Sequence, residues 1–416
     1  MKPKFWKKKS QEEIKTIVFN ALKDNVNYQE ENILGIPASF LEEKVFYQDA
    51  SFLEAAPFIS TLIQNPNHIG CHTLGQSESF FKGTQKIEKA LIEICAVDIL
   101  RGNPFEQDGY VASGGTEANL QAIWIYRNYF RQEYNASLDQ IAILTSEDAH
   151  YSMQKASNVL NIDLYEAPVF KSNRNLDIDK LKSTIRQAQQ DGKQYFIVIA
   201  NMMTTMFGSV DNVEIYTSCL KAMECPFKLH IDGAYGGFYH PFTEGYNDQM
   251  SFKNNDITSF TLDAHKMAQA PYGTGIFLIR KDYMQYANTD KASYVEGEDY
   301  TLIGSRSGAN AVAVWMILTK IGPYGWYEKV LVLQNRTEWM CNELESLDIK
   351  YFRYPDANII TIQADYIQAE VAHKFGLVPD NHNKPEWYKI VIMEHVTVEK
   401  LLLLIEALKS STIPMA

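Results

Sequence analysis

The chain opens with helical patterning. Apolar residues recur at three- and four-residue spacing over residues 13–22 and 52–63, with a proline-containing loop between the two stretches. Residues 1–65 therefore read as an N-terminal helical arm, the kind of element that often packs on a partner subunit. From Gly109 the texture changes to short β-rich runs alternating with amphipathic stretches. Strands are predicted over 110–112, 141–144, 196–200, 229–231, 259–262 and 275–279, and helices over 117–130, 152–160, 178–189 and 213–223. That alternation predicts an α/β fold whose core is a helix-flanked, mostly parallel sheet. After Arg280 comes a polar stretch over 282–299, then a helical run over 309–321 and a smaller α+β segment from about Glu338. The expected organisation is an arm (1–65), a large domain (66–308) with a mobile loop at 282–300, and a linking helix with a small C-terminal domain (309–416).

Composition narrows the function classes. The 416 residues are 46% hydrophobic and 22% charged, ordinary values for a globular protein and too long a chain for one comfortable core. A net charge of -12 argues against general affinity for nucleic acid or an anionic membrane. Lys2, Lys4, Lys7, Lys8 and Lys9 form a basic cluster, but Gln11, Glu12 and Glu13 follow where a signal peptide needs an apolar run, so a solvated tail is expected. The apolar stretch 401–408 is interrupted by Glu406 and falls far short of the roughly 20 residues of a membrane span. Cys71, Cys95, Cys219, Cys225 and Cys341 are odd in number and lack a CxxC pair, which suits buried packing residues in a reducing cytoplasm. His68, His72 and His240 match no standard metal-site spacing, and no metal is expected.

Five segments that follow predicted strands carry chemistry. Asp263-Ala264-His265-Lys266 puts a lysine at a strand end, where a desolvated amine can act as the nucleophile that condenses with an aldehyde cofactor. Read alone, it is more often a surface lysine. His230 to Gly237 places Asp232 at another strand end, followed by Gly233 and Ala234, small enough for a flat ring to approach the backbone. A carboxylate there can keep a pyridine nitrogen protonated, though Asp232 also suits a turn or helix cap. Ser113-Gly114-Gly115-Thr116-Glu117-Ala118-Asn119 is a glycine turn entering a helix, where backbone N–H groups and Thr116 suit phosphate. His150 can stack on a cofactor ring, and Thr204-Thr205 offers a hydroxyl to it. All five lie where ligands bind in α/β proteins, beyond the carboxyl ends of the strands.

From about Gly83 to Gly308 the chain resembles the group II pyridoxal-phosphate-dependent amino acid decarboxylases. Phe81-Lys82-Gly83-Thr84 with Ile87-Glu88, the segment 113–119 and Gly304-Ser305-Arg306-Ser307-Gly308 resemble the archaeal-type tyrosine/aspartate decarboxylase branch. The resemblance implies the type I, aspartate aminotransferase-like fold, a homodimer with active sites at the interface, pyridoxal 5'-phosphate as cofactor and an amino acid as substrate. It implies Lys266 as the Schiff-base lysine, Asp232 at the pyridine nitrogen and His150 stacked on the ring with Ala234 nearby. Thr205 falls near the phenolic oxygen, and Gly115, Thr116 and His265 around the phosphate. Tyr294, with Tyr300 as an alternative, corresponds to the proton donor of a mobile loop. Arg306 corresponds to an arginine that binds the substrate carboxylate or organises the dimer; alone it reads as a structural ion pair. Two positions depart from the family: Met203 stands where a glycine is usual, and Gly233 where an alanine is. Rival readings are an aldolytic lyase resembling the sphingosine-phosphate lyases, which would yield an aldehyde instead of carbon dioxide, and a non-catalytic protein on the same fold.

Overall fold

The computed structural model describes residues 6–25, 50–70, 74–75, 79–287 and 298–410. Seven strands form the central sheet: β1 (Gln107–Ala112), β2 (Ile141–Ser146), β3 (Asp163–Ala167), β4 (Tyr195–Asn201), β5 (Phe227–Gly233), β6 (Ile257–Asp263) and β7 (Gly275–Arg280). Their order is β1-β7-β6-β5-β4-β2-β3. Only β7 runs against its neighbours, so β1 to β6 all deliver their carboxyl ends to one edge. Every residue of β1, β2 and β6 is buried, as expected of strands covered on both faces.

The helices follow the sequence pattern. They are α1 (Gln11–Asp24), α2 (Pro57–Gln64), α3 (Lys82–Glu93), α4 (Gly115–Glu133), α5 (Ser152–Leu160), α6 (Ile178–Gln190), α7 (Val213–Ala222), α8 (Gly308–Ser346), α9 (Ala369–Lys374) and α10 (Val398–Ser410). α1 begins in a capping box: Ser10 Oγ accepts from Glu13 N–H, and Glu13 accepts from Ser10 N–H. Its stripe of Ile14, Val18 and Leu22 is buried against its own chain, and Trp6 Nε1 donates to Leu318 O at 2.8 Å. α8 continues well past the predicted run, bending at Gly322 (φ 71°) where Pro323 follows. A second sheet, antiparallel throughout, holds β8 (Tyr351–Phe352), β9 (Ile359–Gln363), β10 (Val378–Pro379) and β11 (Trp387–Val391) in the order β10-β11-β9-β8.

Before α8, two elements were not read from the sequence pattern. β3 is a half-exposed edge strand, Asp-Leu-Tyr-Glu-Ala, whose polar residues hide it among loops. α3 lies inside the motif at 81–88, and its buried face includes the polar residues Thr84, Gln85 and Glu88, which blurs its apolar stripe. Among the described residues no helix is long and apolar enough to cross a membrane. The described cysteines, Cys95, Cys219, Cys225 and Cys341, are free and buried.

Candidate active site

The carboxyl edge of the sheet encloses a cavity of about 330 Å³. Its wall takes Ser113 to Glu117 from beyond β1, His150 from beyond β2, Asn201 from the end of β4 and Met203, Thr204 and Thr205 from beyond it. Asp232, Ala234 and Tyr235 come from β5, and Asp263, His265 and Lys266 from β6. Lys266, Asp232, His150, Gly115, Thr116, Thr205, Ala234 and His265, separated by as many as 151 positions in sequence, thus face one space.

Asp232 is buried and held from two sides. Oδ2 accepts from Asn119 Nδ2 at 2.8 Å, and Oδ1 accepts from Ala234 N–H at 3.0 Å. Asn119 lies on α4 and also meets His230 Nε2 at 3.0 Å through Oδ1. His230 in turn bonds Ser259 Oγ at 2.6 Å. Burial lowers the His230 imidazole to about 4, so it serves as a neutral link in this chain. Sequence reasoning quoted Asn119 only as part of a motif; the link to Asp232 spans 113 positions and had no local signal.

Lys266 is paired as well. Its Nζ lies 3.0 Å from Asp263 Oδ2, and the side chain is 35% exposed, so the expected desolvated amine is in fact held by an ion pair. Asp263 also faces His265 Nε2 at 3.7 Å. Burial raises the Asp263 carboxyl, against the opposing pull of Lys266 and His265. A Cβ on Gly115 would lie 2.8 Å from Asp263 Oδ2 and 3.1 Å from Ala234 Cβ, so only glycine brings the start of α4 this close.

His150 Nδ1 accepts from Ser152 N–H at 3.2 Å and contacts Ser152 Oγ at 2.9 Å, which places the proton of the neutral ring on Nε2. Burial lowers its pKa, and Lys266 adds to that while Asp232 and Asp263 oppose it. Met203 has φ 70°, in the left-handed region that favours glycine. Gly233 stands where a Cβ would meet Thr261 O at 3.0 Å.

Arg306 is not brought to the cavity. Its guanidinium donates to Glu88 Oε1 at 2.6 Å and to Val111 O at 3.1 Å, with both charged side chains buried. His68 Nδ1 approaches the other Glu88 oxygen at 2.5 Å, and His68 Nε2 meets Thr84 Oγ1 at 2.9 Å. Burial would raise the Glu88 carboxyl, but Arg306 and His68 outweigh it and hold it low. Of the readings the sequence leaves open for Arg306, the structural ion pair is the one present, buried beneath β1. Tyr300 is also outside the cavity wall, with its hydroxyl on Glu298. Tyr294, His72 and Cys71 lie outside the described residues. His240 bonds Thr243, away from His68.

An aromatic aldehyde bearing a phosphate fits this set of residues. Asp263 Oδ1 and His265 Nδ1 are buried in the wall without hydrogen-bond partners among the described residues. The start of α4 has no side-chain cap, leaving its first-turn N–H donors to an anion. Lysine, buried carboxylate and uncapped helix start at one edge of such a sheet define a pyridoxal-phosphate enzyme of the type I fold.

The chain belongs to the pyridoxal-dependent decarboxylases: the model of the pyridoxal-dependent decarboxylase conserved domain matches residues 88–348. It is 48% identical to a tryptophan decarboxylase of Clostridium sporogenes over 399 residues, 96% of this chain and 95% of that protein. It is 28% identical to a probable L-tyrosine/L-aspartate decarboxylase of Methanococcus maripaludis, covering 80% of this chain and 85% of that one. Among solved structures, L-methionine decarboxylase of Streptomyces sp. 590 superposes with a TM-score of 0.72 at 19% identity, over 97% of this chain and 94% of the other. A sphingosine-1-phosphate lyase of Burkholderia pseudomallei superposes at 0.68 with 19% identity, over 79% and 77%. Fold alone therefore does not separate decarboxylase from aldolytic lyase; the sequence relatives do. The reaction is pyridoxal-phosphate-dependent decarboxylation of an amino acid, and the chain is a carboxy-lyase.

Proposed function

We propose that this enzyme decarboxylates an aromatic L-amino acid, with tryptophan the preferred substrate, and that it works as a cytoplasmic homodimer. The observation that carries the substrate is the 48% identity to the tryptophan decarboxylase across nearly the whole of both chains. The branch resemblance on its own favours tyrosine or aspartate and leaves histidine, glutamate and diaminobutyrate open. Aspartate would bring a second carboxylate, and among the described residues no arginine lines the cavity to receive it, while Asp232, Asp263 and Glu117 already make the wall acidic. A partner subunit is supported by Tyr272 and Tyr151, which stand 87% and 59% exposed beside His265 and His150.

In this reading Lys266 holds the cofactor aldehyde, Asp232 the ring nitrogen, and Gly115, Thr116 and His265 the phosphate. Thr205 serves the phenolic oxygen; the neighbouring Thr204 hydroxyl is already bonded to Ser209 at 2.7 Å. Bound pyridoxal phosphate supplies an electron sink for the pair left on Cα when carbon dioxide departs. Asn119 fixes the Asp232 carboxylate in position, so its negative charge stays directed at the ring site. Asp263 steadies the Lys266 ammonium and can take up its proton as the amine exchanges. His150 presents Nε2–H over the cavity, and either it or Tyr294 returns a proton to Cα. The test is carbon dioxide release by the cofactor-loaded protein from tryptophan, phenylalanine, tyrosine and aspartate. The expected order of kcat/KM places tryptophan first and aspartate last; aspartate ahead of tryptophan overturns the substrate assignment.

A further inference from the structure

A buried link joins Asp232 to His150. Asn119 lies on α4 and Ser152 is the first residue of α5, and the two are 1% and 0% exposed. The amino group of Asn119 carries two hydrogens. One goes to Asp232 Oδ2 at 2.8 Å and the other to Ser152 Oγ at 3.2 Å. The amide cannot be turned over, because that would set its carbonyl oxygen against the Asp232 carboxylate. In the present orientation Oδ1 accepts from His230 Nε2 at 3.0 Å, and His230 Nδ1 accepts from Ser259 Oγ at 2.6 Å. Ser152 Oγ, accepting from Asn119, has one hydrogen left to place, and His150 Nδ1 stands 2.9 Å away. The hydroxyl is not spent on its own helix, whose start has no side-chain cap.

We infer that Ser152 is a positioning residue of the decarboxylation: through Asn119 it ties His150 to Asp232, and its hydroxyl holds the His150 ring with the proton on Nε2. This rests on the decarboxylase reading above and deepens it, since the carboxylate assigned to the ring nitrogen and the imidazole over the cavity then form one hydrogen-bonded unit. The opposite tautomer would drive its Nδ1 hydrogen against the Ser152 N–H, which points at that nitrogen from 3.2 Å. Burial lowers the His150 pKa and favours the neutral ring, the form in which the choice of tautomer matters. The backbone N–H alone does not reach Asn119, so only the hydroxyl makes the connection. Removing it leaves a buried Asn119 hydrogen without its acceptor and Nδ1 with the longer of its two bonds.

The experiment compares Ser152→Ala, Ser152→Cys and the double variant Asn119→Ala with Ser152→Ala against wild type. Ring nitrogen NMR shifts of histidine-labelled protein report which nitrogen carries the proton, in the apoprotein and the cofactor-loaded protein alike; the His150 signals are identified by their loss in His150→Gln. Wild type is expected to show Nε2 protonated and Nδ1 bare, and Ser152→Ala a mixture of the two tautomers. With the amino acid that releases carbon dioxide fastest, Ser152→Ala is expected to lose about tenfold in kcat, with KM within about twofold. Ser152→Cys, close in size but a weaker donor, is expected to fall between in both readings, and it carries the test should the alanine variant not fold. The Asn119→Ala and Ser152→Ala losses are expected to combine to less than their product by about threefold or more, because both break one link. The inference is overturned if Ser152→Ala keeps the wild-type tautomer, if the two losses simply multiply, or if KM rises with kcat unchanged. Absence of carbon dioxide release by the wild type from every amino acid would instead refute the decarboxylase reading, and the nitrogen shifts of the apoprotein would still decide whether Ser152 sets the His150 ring.

Discussion

Replacing Asn119 by alanine strips Asp232 of the donor at 2.8 Å on Oδ2 while leaving the Ala234 N–H on Oδ1. The carboxylate is thus weakened in position without being orphaned. A hydrogen bond to a charged group contributes about 1.5–3 kcal/mol, which corresponds to roughly 10- to 150-fold in a rate or binding constant. The bond is buried, with Asn119 and Asp232 1% and 7% exposed, so screening by solvent takes little from that figure. His230 also loses a partner but keeps Thr261 Oγ1 at 3.0 Å and Ser259. The expected result for Asn119→Ala is a fall in kcat of about tenfold or more, with a smaller loss of cofactor affinity because phosphate and lysine contacts persist. Steady-state kinetics at saturating cofactor, with cofactor titration of the apoprotein, measure both. If kcat and cofactor affinity stay within about twofold of wild type, Asn119 does not act through Asp232.

Arg306→Met removes one partner of a buried ion pair and leaves Glu88 uncompensated apart from His68, a loss of about 3–5 kcal/mol that thermal melting should register. Its KM for the amino acid is expected to stay unchanged, and Glu88→Gln combined with Arg306→Met should recover part of the stability; a raised KM with unchanged melting would return Arg306 to the substrate. Burial holds the His230 ring at about 4, below the ordinary 6.5, so between those values the unfolded chain binds a proton that the folded chain refuses. Stability from this group is therefore present above pH 6.5 and lost as pH falls toward 4, by up to about 3 kcal/mol. Asp211, raised to about 6 by burial, tilts the opposite way, its contribution being lost as pH rises through that value. The measurement is consequently wild type against His230→Gln at each pH, with the stability gap expected to widen from pH 4 to 6.5 and a constant gap counting against the argument.

The strand ends were legible because parallel strands advertise themselves as short apolar runs, and their carboxyl ends necessarily share one edge. That rule alone brings Lys266, Asp232 and His150 to one edge, where all three line the cavity. What supports them was less visible. Asn119 reaches Asp232 across 113 positions and Ser152 across 33. No local spacing encodes such contacts. Arg306 stayed open between substrate, dimer and ion pair for a related reason: its partner Glu88 is 218 residues away, and a motif arginine looks the same whether it faces substrate or core. Met203 reads in the sequence only as a departure from an expected glycine, and its left-handed φ of 70° is the conformation that favours glycine.

The central claim is that Lys266 holds the cofactor with which this chain removes carbon dioxide from an amino acid. Borohydride reduction of the cofactor-loaded protein, followed by peptide mass spectrometry and paired with carbon dioxide release from tryptophan, tests it most directly. The expected result is a pyridoxyl group on the peptide containing Lys266, with label and carbon dioxide release both lost in Lys266→Ala; a label on another lysine, or turnover that survives Lys266→Ala, would contradict the account.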